Sequence, residues 1–269
     1  MVAAMAEIYA HRGGAGAPLL LLHGVGHRWG AWAPVLPALE ESFAVVACDS
    51  PGFGASPPLP ADVPRTIPRY VDAFAAFLLE QGIDRPHVAG NSMGGAIALE
   101  LARRGLVRSA TAFSPAGFWG APGLRWCQGS LGLVGAIPQP LRPALRRALQ
   151  HPSGRRALLS ELVKRPADVP AHEAIADVNA LWDGPSLMQC LRGFADYRCV
   201  AAPAMPHGVP ITVAWGDRDR LLPPWTQARR ARRVVPAARH VRIDAGHLPY
   251  FDAPAQVVAL IRETATCAA

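Results

Sequence analysis

The sequence predicts an α/β fold: a doubly wound, mostly parallel sheet with flanking helices and an inserted helical stretch. Three observations carry this. Leu19-Leu20-Leu21-Leu22 and Phe43–Cys48 are apolar throughout, as strands buried on both faces must be. Helix-forming segments separate successive runs of this kind. The alternation stops at Gly117 and resumes with Ile211-Thr212-Val213-Ala214-Trp215. With 269 residues, 51% of them hydrophobic and 17% charged, the chain can bury a sizeable core.

Taken in order, residues 4–11 read as a short strand around Ile8-Tyr9-Ala10, before a turn at Gly13-Gly14. Leu19–Leu22 is a strand ended by His23-Gly24-Val25-Gly26. Trp29–Leu39 reads as a helix interrupted at Pro34 and Pro37. Phe43–Cys48 is the next strand, closed by Asp49-Ser50-Pro51-Gly52-Phe53-Gly54. In Ile67–Gly82 the residues Ile67, Val71, Phe74 and Leu78 share one helical face, and Gly82 stops the helix. His87–Ala89 is a strand that runs into Gly90-Asn91-Ser92-Met93-Gly94, and a helix follows from Ala96 to Arg104. Ser109–Phe113 is another strand. Helical segments then cover Leu141–Leu149, Gly154–Lys164, Ala171–Asn179 and Ser186–Tyr197, with no strand among them. After Ile211–Trp215, a helix at Thr226–Val234, a strand at His240–Ile243 and a helix at Pro254–Ala265 close the chain. The expected organisation is a core of residues 1–116 and 207–269 with a helical insertion of residues 117–206.

Charge and cysteine content exclude several classes. The net charge of +7 comes almost wholly from arginine, Lys164 being the only lysine. Such a bias, with abundant Ala, Pro and Gly, follows from a GC-rich coding sequence, and no nucleic-acid partner is expected. The cluster Arg229, Arg230, Arg232 and Arg233 has no interleaved aromatics and reads as a solvated helix face. No apolar run approaches the roughly 18 residues of a membrane span. Met1–Ala10 lacks a basic leader and carries Glu7, so no secretory signal is expected. Cys48, Cys127, Cys190, Cys199 and Cys267 are scattered and odd in number, with no C-x-x-C spacing. Neither a disulfide framework nor a zinc site is indicated, and a reduced, cytoplasmic setting is expected.

The chemistry is concentrated at Gly90-x-Ser92-x-Gly94. A strand-to-helix turn this tight forces its central residue into a strained backbone and throws its side chain out above the sheet. Glycines on either side avoid collisions with neighbouring elements, and the helix start supplies free N–H groups near the serine oxygen. A serine hydroxyl becomes a nucleophile only beside a base, best a histidine held by a carboxylate. In this type of fold the order is Ser, acid, His. Of nine histidines, His247 alone follows the last strand and precedes the final helix. The acid is Asp219 or Asp217, both after the Ile211–Trp215 strand. Asp219 is preferred because it lies farther along the loop; Asp217, nearer the strand end, suits a turn cap.

His23-Gly24, Asp49-x-Pro51-Gly52-x-Gly54-x-Ser56, Gly90-x-Ser92-x-Gly94-Gly95, Trp215-Gly216-x-x-Asp219 and Gly246-His247 together resemble the α/β-hydrolase superfamily over nearly the whole chain. The resemblance implies that residues 117–206 form a cap, that Ser92, Asp219 and His247 are catalytic, and that the backbone N–H groups of Met93 and Val25 form the oxyanion hole. His23 is then a brace for its loop. The nucleophile is Ser rather than Asp, unlike the superfamily's dehalogenases and epoxide hydrolases. Gly13-Gly14-Ala15-Gly16 falls short of a dinucleotide fingerprint, no phosphate-binding P-loop occurs, and His172-Glu173 lacks a zincin's second histidine. No cofactor or metal is implied. The Gly90–Gly95 stretch is also similar to the serine-dependent carbon–carbon hydrolases of ring-fission products. Leu248 stands where those enzymes carry Trp, and His27-Arg28 where they carry Pro-Gly. The expected activity is hydrolysis of a small, largely apolar carboxylic ester or related acyl compound. Carbon–carbon, lactone, thioester or cyclase chemistry are the enzymatic alternatives, and a ligand-binding receptor on the same fold is the non-enzymatic one.

Overall fold

A computed structural model describes residues 7–200 and 208–268. Seven strands, β1 (Ala10–Gly13), β2 (Ala17–Leu22), β3 (Phe43–Cys48), β4 (His87–Asn91), β5 (Ser109–Phe113), β6 (Ile211–Gly216) and β7 (Arg239–Ile243), form one sheet. Their order is β1-β3-β2-β4-β5-β6-β7. All neighbours are parallel except β1, which runs antiparallel to β3 with Ala10 opposite Cys48. The winding reverses at β2, which lies between β3 and β4. A crevice therefore opens between the loops that leave the carboxyl ends of β2 and β4.

The continuous apolar character of the strands follows from burial on both faces. Leu20, Leu22 and Val88 pack with Ile67, Phe74 and Ile97 on one side. Leu19, Leu21 and Ala89 pack with Trp32, Leu36, Val257 and Ile261 on the other. Each such side chain contributes roughly 1.5–3 kcal/mol on leaving water. Helix α1 (Leu36–Glu40) follows a 3₁₀ turn at Trp29–Trp32. The helix expected over Trp29–Leu39 with interruptions at Pro34 and Pro37 is thus two short pieces, broken around Pro34 but not at Pro37. Pro37 sits in the first turn of α1, where no backbone donor is needed. Helix α2 (Ile67–Glu80) buries Ile67, Val71, Phe74 and Leu78 together with Tyr70 and Phe77. Gly82 then takes the left-handed conformation, φ 62°, while Ile83 N–H bonds Leu78 O at 2.9 Å to close the helix end. Helix α3 (Met93–Arg103) is buried nearly all round, since it lies between the sheet and α2.

The first strand begins at Ala10, later than the Ile8–Ala10 expected. Tyr9 is already engaged elsewhere: its N–H bonds Ser56 Oγ at 2.9 Å and its carbonyl accepts Asp49 N–H at 2.9 Å. Residues 4–6 of that expected strand lie outside the described residues, as do residues 201–206 of the expected insertion.

Between β5 and β6 the described residues hold no strand. Helices α4 (Ala121–Gly135), α5 (Arg142–Gln150), α6 (Pro152–Leu159), α7 (Ala171–Asp183) and α8 (Leu187–Gly193) fill this stretch. Helix α4 is absent from the sequence reading. Helix α6 stops at Leu159, short of the Lys164 expected, because residues 160–165 leave it to bond the chain after β7. Helix α9 (Gln227–Val234) turns Ala228 and Ala231 inward and Arg229, Arg230, Arg232 and Arg233 to solvent. Helices α10 (Pro249–Asp252) and α11 (Pro254–Thr266) complete the fold. Among the described residues, no helix is long and apolar enough to cross a membrane.

Candidate active site

Ser92 stands between β4 and α3 with φ 54° and ψ −113°, a conformation that costs a non-glycine residue on the order of 1–3 kcal/mol. The surroundings hold it there. Ser92 N–H bonds Phe113 O at 2.9 Å, and Ser92 O accepts the N–H groups of Ala96 and Ala116, each at 3.0 Å. A Cβ at Gly90 would strike the Gly94 carbonyl, and one at Gly94 would strike the Leu22 carbonyl. The two flanking glycines are thus required by close backbone approach. Met93 opens α3, so its N–H has no intrahelical partner.

His247 follows β7, and its Nδ1 lies 2.8 Å from Asp219 Oδ2. Asp219 is fully buried and His247 nearly so. Asp219 Oδ1 accepts the Leu222 N–H at 2.7 Å, so the carboxylate both caps its own turn and meets the imidazole. That pairing sets the tautomer: Nδ1 carries the proton, and Nε2 is left as the acceptor. Asp217, the other candidate acid, points away. Its side chain is 37% exposed and lies 3.7 Å from Lys164 Nζ.

Two further residues fix the backbone of the histidine loop, and the sequence reading passes over both roles. Asn91 Nδ2 donates to His247 O at 2.9 Å, tying the turn at Ser92 to the histidine loop. Asp252 accepts N–H bonds from Gly246, Lys164 and Arg165, each at 2.8 Å. Three amides converging on one carboxylate join this loop to the chain after α6. Leu248 N–H adds a bond to Leu162 O at 3.0 Å.

The loop after β2 faces Ser92. A Cβ on Gly24 would sit 3.3 Å from Ser92 Cβ, and Gly24, Val25, Ser92 and His247 line one cleft. His23 braces this loop: Nε2 accepts Ser50 N–H at 2.8 Å and Nδ1 donates to Gly24 O at 2.7 Å. Burial drives its pKa down to about 3, so the ring is neutral and can accept. Asp49 accepts Trp29 N–H at 2.6 Å and Ala55 N–H at 2.8 Å, and Ser56 Oγ donates to Asp49 O at 2.8 Å. The Asp49–Ser56 motif therefore shapes the loops and does not reach the cleft.

The cleft at Ser92 encloses about 20 Å³ and is closed by Leu131, Leu162, Leu181 and Leu248. A cavity of about 70 Å³ adjoins it, sharing those four leucines and His27 and extending between α4, α6 and α7. A larger depression of about 530 Å³, bordered by Arg156, Arg165, Arg218 and Arg220, contains none of Ser92, Asp219 or His247. Among the described residues, no cluster of three or more His, Cys, Asp or Glu is placed to hold a metal ion.

Comparison with known proteins gives the family and the fold. Residues 19–260 match the Alpha/beta hydrolase family. The chain belongs to that family and is an α/β-fold hydrolase. It is 31% identical over 271 residues to the 2-hydroxymuconate semialdehyde hydrolase of Pseudomonas sp. (strain CF600), covering 97% of this chain and 91% of the relative. It is 29% identical over 194 residues to epoxide hydrolase EphH of Mycobacterium tuberculosis, covering 68% and 86%. It is 29% identical over 263 residues to the dihydrolipoyllysine-residue acetyltransferase component of the acetoin cleaving system of Cupriavidus necator, covering 95% of this chain but 65% of that relative. In structure it is similar to an esterase from Thermogutta terrifontis, with TM-score 0.74 and 23% identity over 98% of this chain and 94% of the other.

Proposed function

We propose that this chain hydrolyses a small carboxylic ester or related acyl compound through an acyl-enzyme on Ser92. The observation that carries the reading is the buried 2.8 Å contact between His247 and Asp219, with His247 lining the same cleft as the strained Ser92. His247 Nε2 takes the Ser92 hydroxyl proton as Oγ attacks the carbonyl carbon, and returns it to the departing alcohol. Water then attacks the acyl-enzyme, its proton passing through Nε2 back to Ser92 Oγ as the acid leaves. Asp219 holds the imidazole in the required tautomer and stabilises its positive charge. The N–H groups of Met93 and Val25 stabilise the developing oxyanion, each contributing roughly 3 kcal/mol. Residues 117–206 act as a cap whose leucines make the site apolar, and it must open to admit substrate, since pockets for such ligands run to about 300–1,000 Å³. Five cysteines without a disulfide fit a reducing, cytoplasmic compartment.

Carbon–carbon hydrolysis is the second reading, favoured by the 31% identity to the semialdehyde hydrolase. Serine at the nucleophile position weighs against epoxide opening through a carboxylate. A panel of short acyl esters, lactones and a ring-fission dienone separates these readings by kcat/KM. Esters or lactones turned over best supports acyl hydrolysis; a dienone preferred by orders of magnitude overturns it, and silence across the panel favours a receptor.

A further inference from the structure

The 70 Å³ cavity beside the cleft is walled chiefly by leucines and valines, with four polar side chains among them: His27, Ser130, Glu161 and Asp177. Ser130 comes from α4, and Glu161 from the short segment after α6. Ser130 Oγ and Glu161 Oε1 are both buried with no hydrogen-bond partner. Buried polar atoms are normally paired, so unpaired ones gathered in one cavity call for an occupant. Glu161 is held in place from its carboxyl-terminal side, where Leu162 O accepts Leu248 N–H and Lys164 N–H bonds Asp252. Its carboxyl lies within electrostatic reach of His247 and Asp219. Burial pushes this carboxyl above the usual range, and the nearby Ser130 hydroxyl opposes that without reaching hydrogen-bond geometry. His27 Nδ1, also in the wall, is likewise buried without a hydrogen-bond partner and lies 3.6 Å from Asp177 Oδ1.

We propose that Ser130 and Glu161 form a polar subsite for an uncharged hydroxyl carried by an otherwise apolar substrate. Glu161 accepts from the substrate hydroxyl, and the Ser130 hydroxyl donates to its oxygen. One acceptor and one donor match one hydroxyl. The inference rests on the acyl-hydrolase reading and narrows its substrate class to hydroxylated aliphatic esters.

Matched ester pairs test it: p-nitrophenyl hexanoate against its 6-hydroxy and 6-amino forms, and hexyl butyrate against 6-hydroxyhexyl butyrate. The wild type should favour the hydroxylated member of at least one pair by roughly tenfold or more in kcat/KM. Glu161→Leu and Ser130→Ala should bring that ratio towards one, while Glu161→Gln, which keeps an acceptor oxygen, should retain part of it. Thermal unfolding of each variant separates lost preference from lost fold. Equal turnover within both wild-type pairs, a preference for the amino ester, or a ratio unmoved in a folded Glu161→Leu overturns the proposal. Labelling of Ser92 by a fluorophosphonate keeps the two readings apart. A labelled enzyme without hydroxyl preference sinks only the subsite; no labelling and no turnover sinks both.

Discussion

The carboxylates Asp49, Asp219 and Asp252 at the carboxyl edge of the sheet and the Ser130–Glu161 pair in the helical wall above it are partnered in opposite ways. At the edge, Asp219 bonds Leu222 N–H and His247, Asp49 bonds two amides, and Asp252 bonds three. In the wall, Ser130 Oγ and Glu161 Oε1 face a cavity without partners. Groups satisfied in advance stay in place without reorganisation when charge develops, which is what an acyl-transfer centre needs. The unsatisfied pair in the wall is the subsite proposed for a substrate hydroxyl. The proposed function divides chemistry, at the sheet, from selection, in the helices, and each substitution below either sharpens or breaks that division.

The largest effect should come from Ser92→Ala, which lowers kcat on the order of ten-thousand-fold or more with the fold intact. Retained turnover, measured on the preferred ester, would place the nucleophile elsewhere. Asp219→Asn should cost up to about ten-thousand-fold, because an amide can hold the wrong imidazole tautomer. Asp217→Asn removes a half-exposed group beside Lys164 and should change kcat less than about threefold. Kinetics of the pair at matched pH decide between them, and a crippled Asp217→Asn beside a sound Asp219→Asn would reverse the assignment.

The loop brace gives a smaller effect, read as stability. Burial holds His23 at a pKa of about 3, against 6.5 in the unfolded chain, so the unfolded state takes up the proton first. Stability from this group is whole above pH 6.5 and is lost as pH falls towards 3, at about 1.4 kcal/mol per unit. Urea unfolding should therefore show a loss of about 2 kcal/mol between pH 6.5 and 5. The loss should flatten in His23→Gln, and an equally steep slope there would contradict the brace. A further effect of this modest size concerns Leu181, which lines both the cleft and the neighbouring cavity. Leu181→Ala should shift the ratio of kcat/KM between long and short acyl chains by roughly three- to tenfold, with little change in Ser92 labelling. A matching loss on every substrate and on labelling would mean that the wall shapes the chemistry too.

What is legible in the sequence divides along the same line. Buried strands announce themselves because both faces demand apolar residues, as in Leu19–Leu22, and the turn at Ser92 because backbone contacts forbid a Cβ at Gly90 and Gly94. The position of His247 after the last strand follows from chain order alone. Helix α4 hides because Pro122 and four glycines, at 123, 129, 132 and 135, dilute the spacing of Leu124, Cys127 and Leu131. The roles of Asp252 and Asn91 depend on backbone atoms from distant segments, which no local pattern encodes. Glu161 looks like an ordinary helix residue until the chain leaves α6 at Leu159 and carries it to the cavity wall. The choice of Asp219 over Asp217 likewise turns on which side chain faces inward.

The most direct test of the sheet's chemical role is fluorophosphonate labelling followed by peptide mapping. A single adduct is expected on Ser92, absent from Ser92→Ala and formed far more slowly in Asp219→Asn. An adduct on another residue, an adduct that survives Ser92→Ala, or no adduct in the wild type would contradict the account.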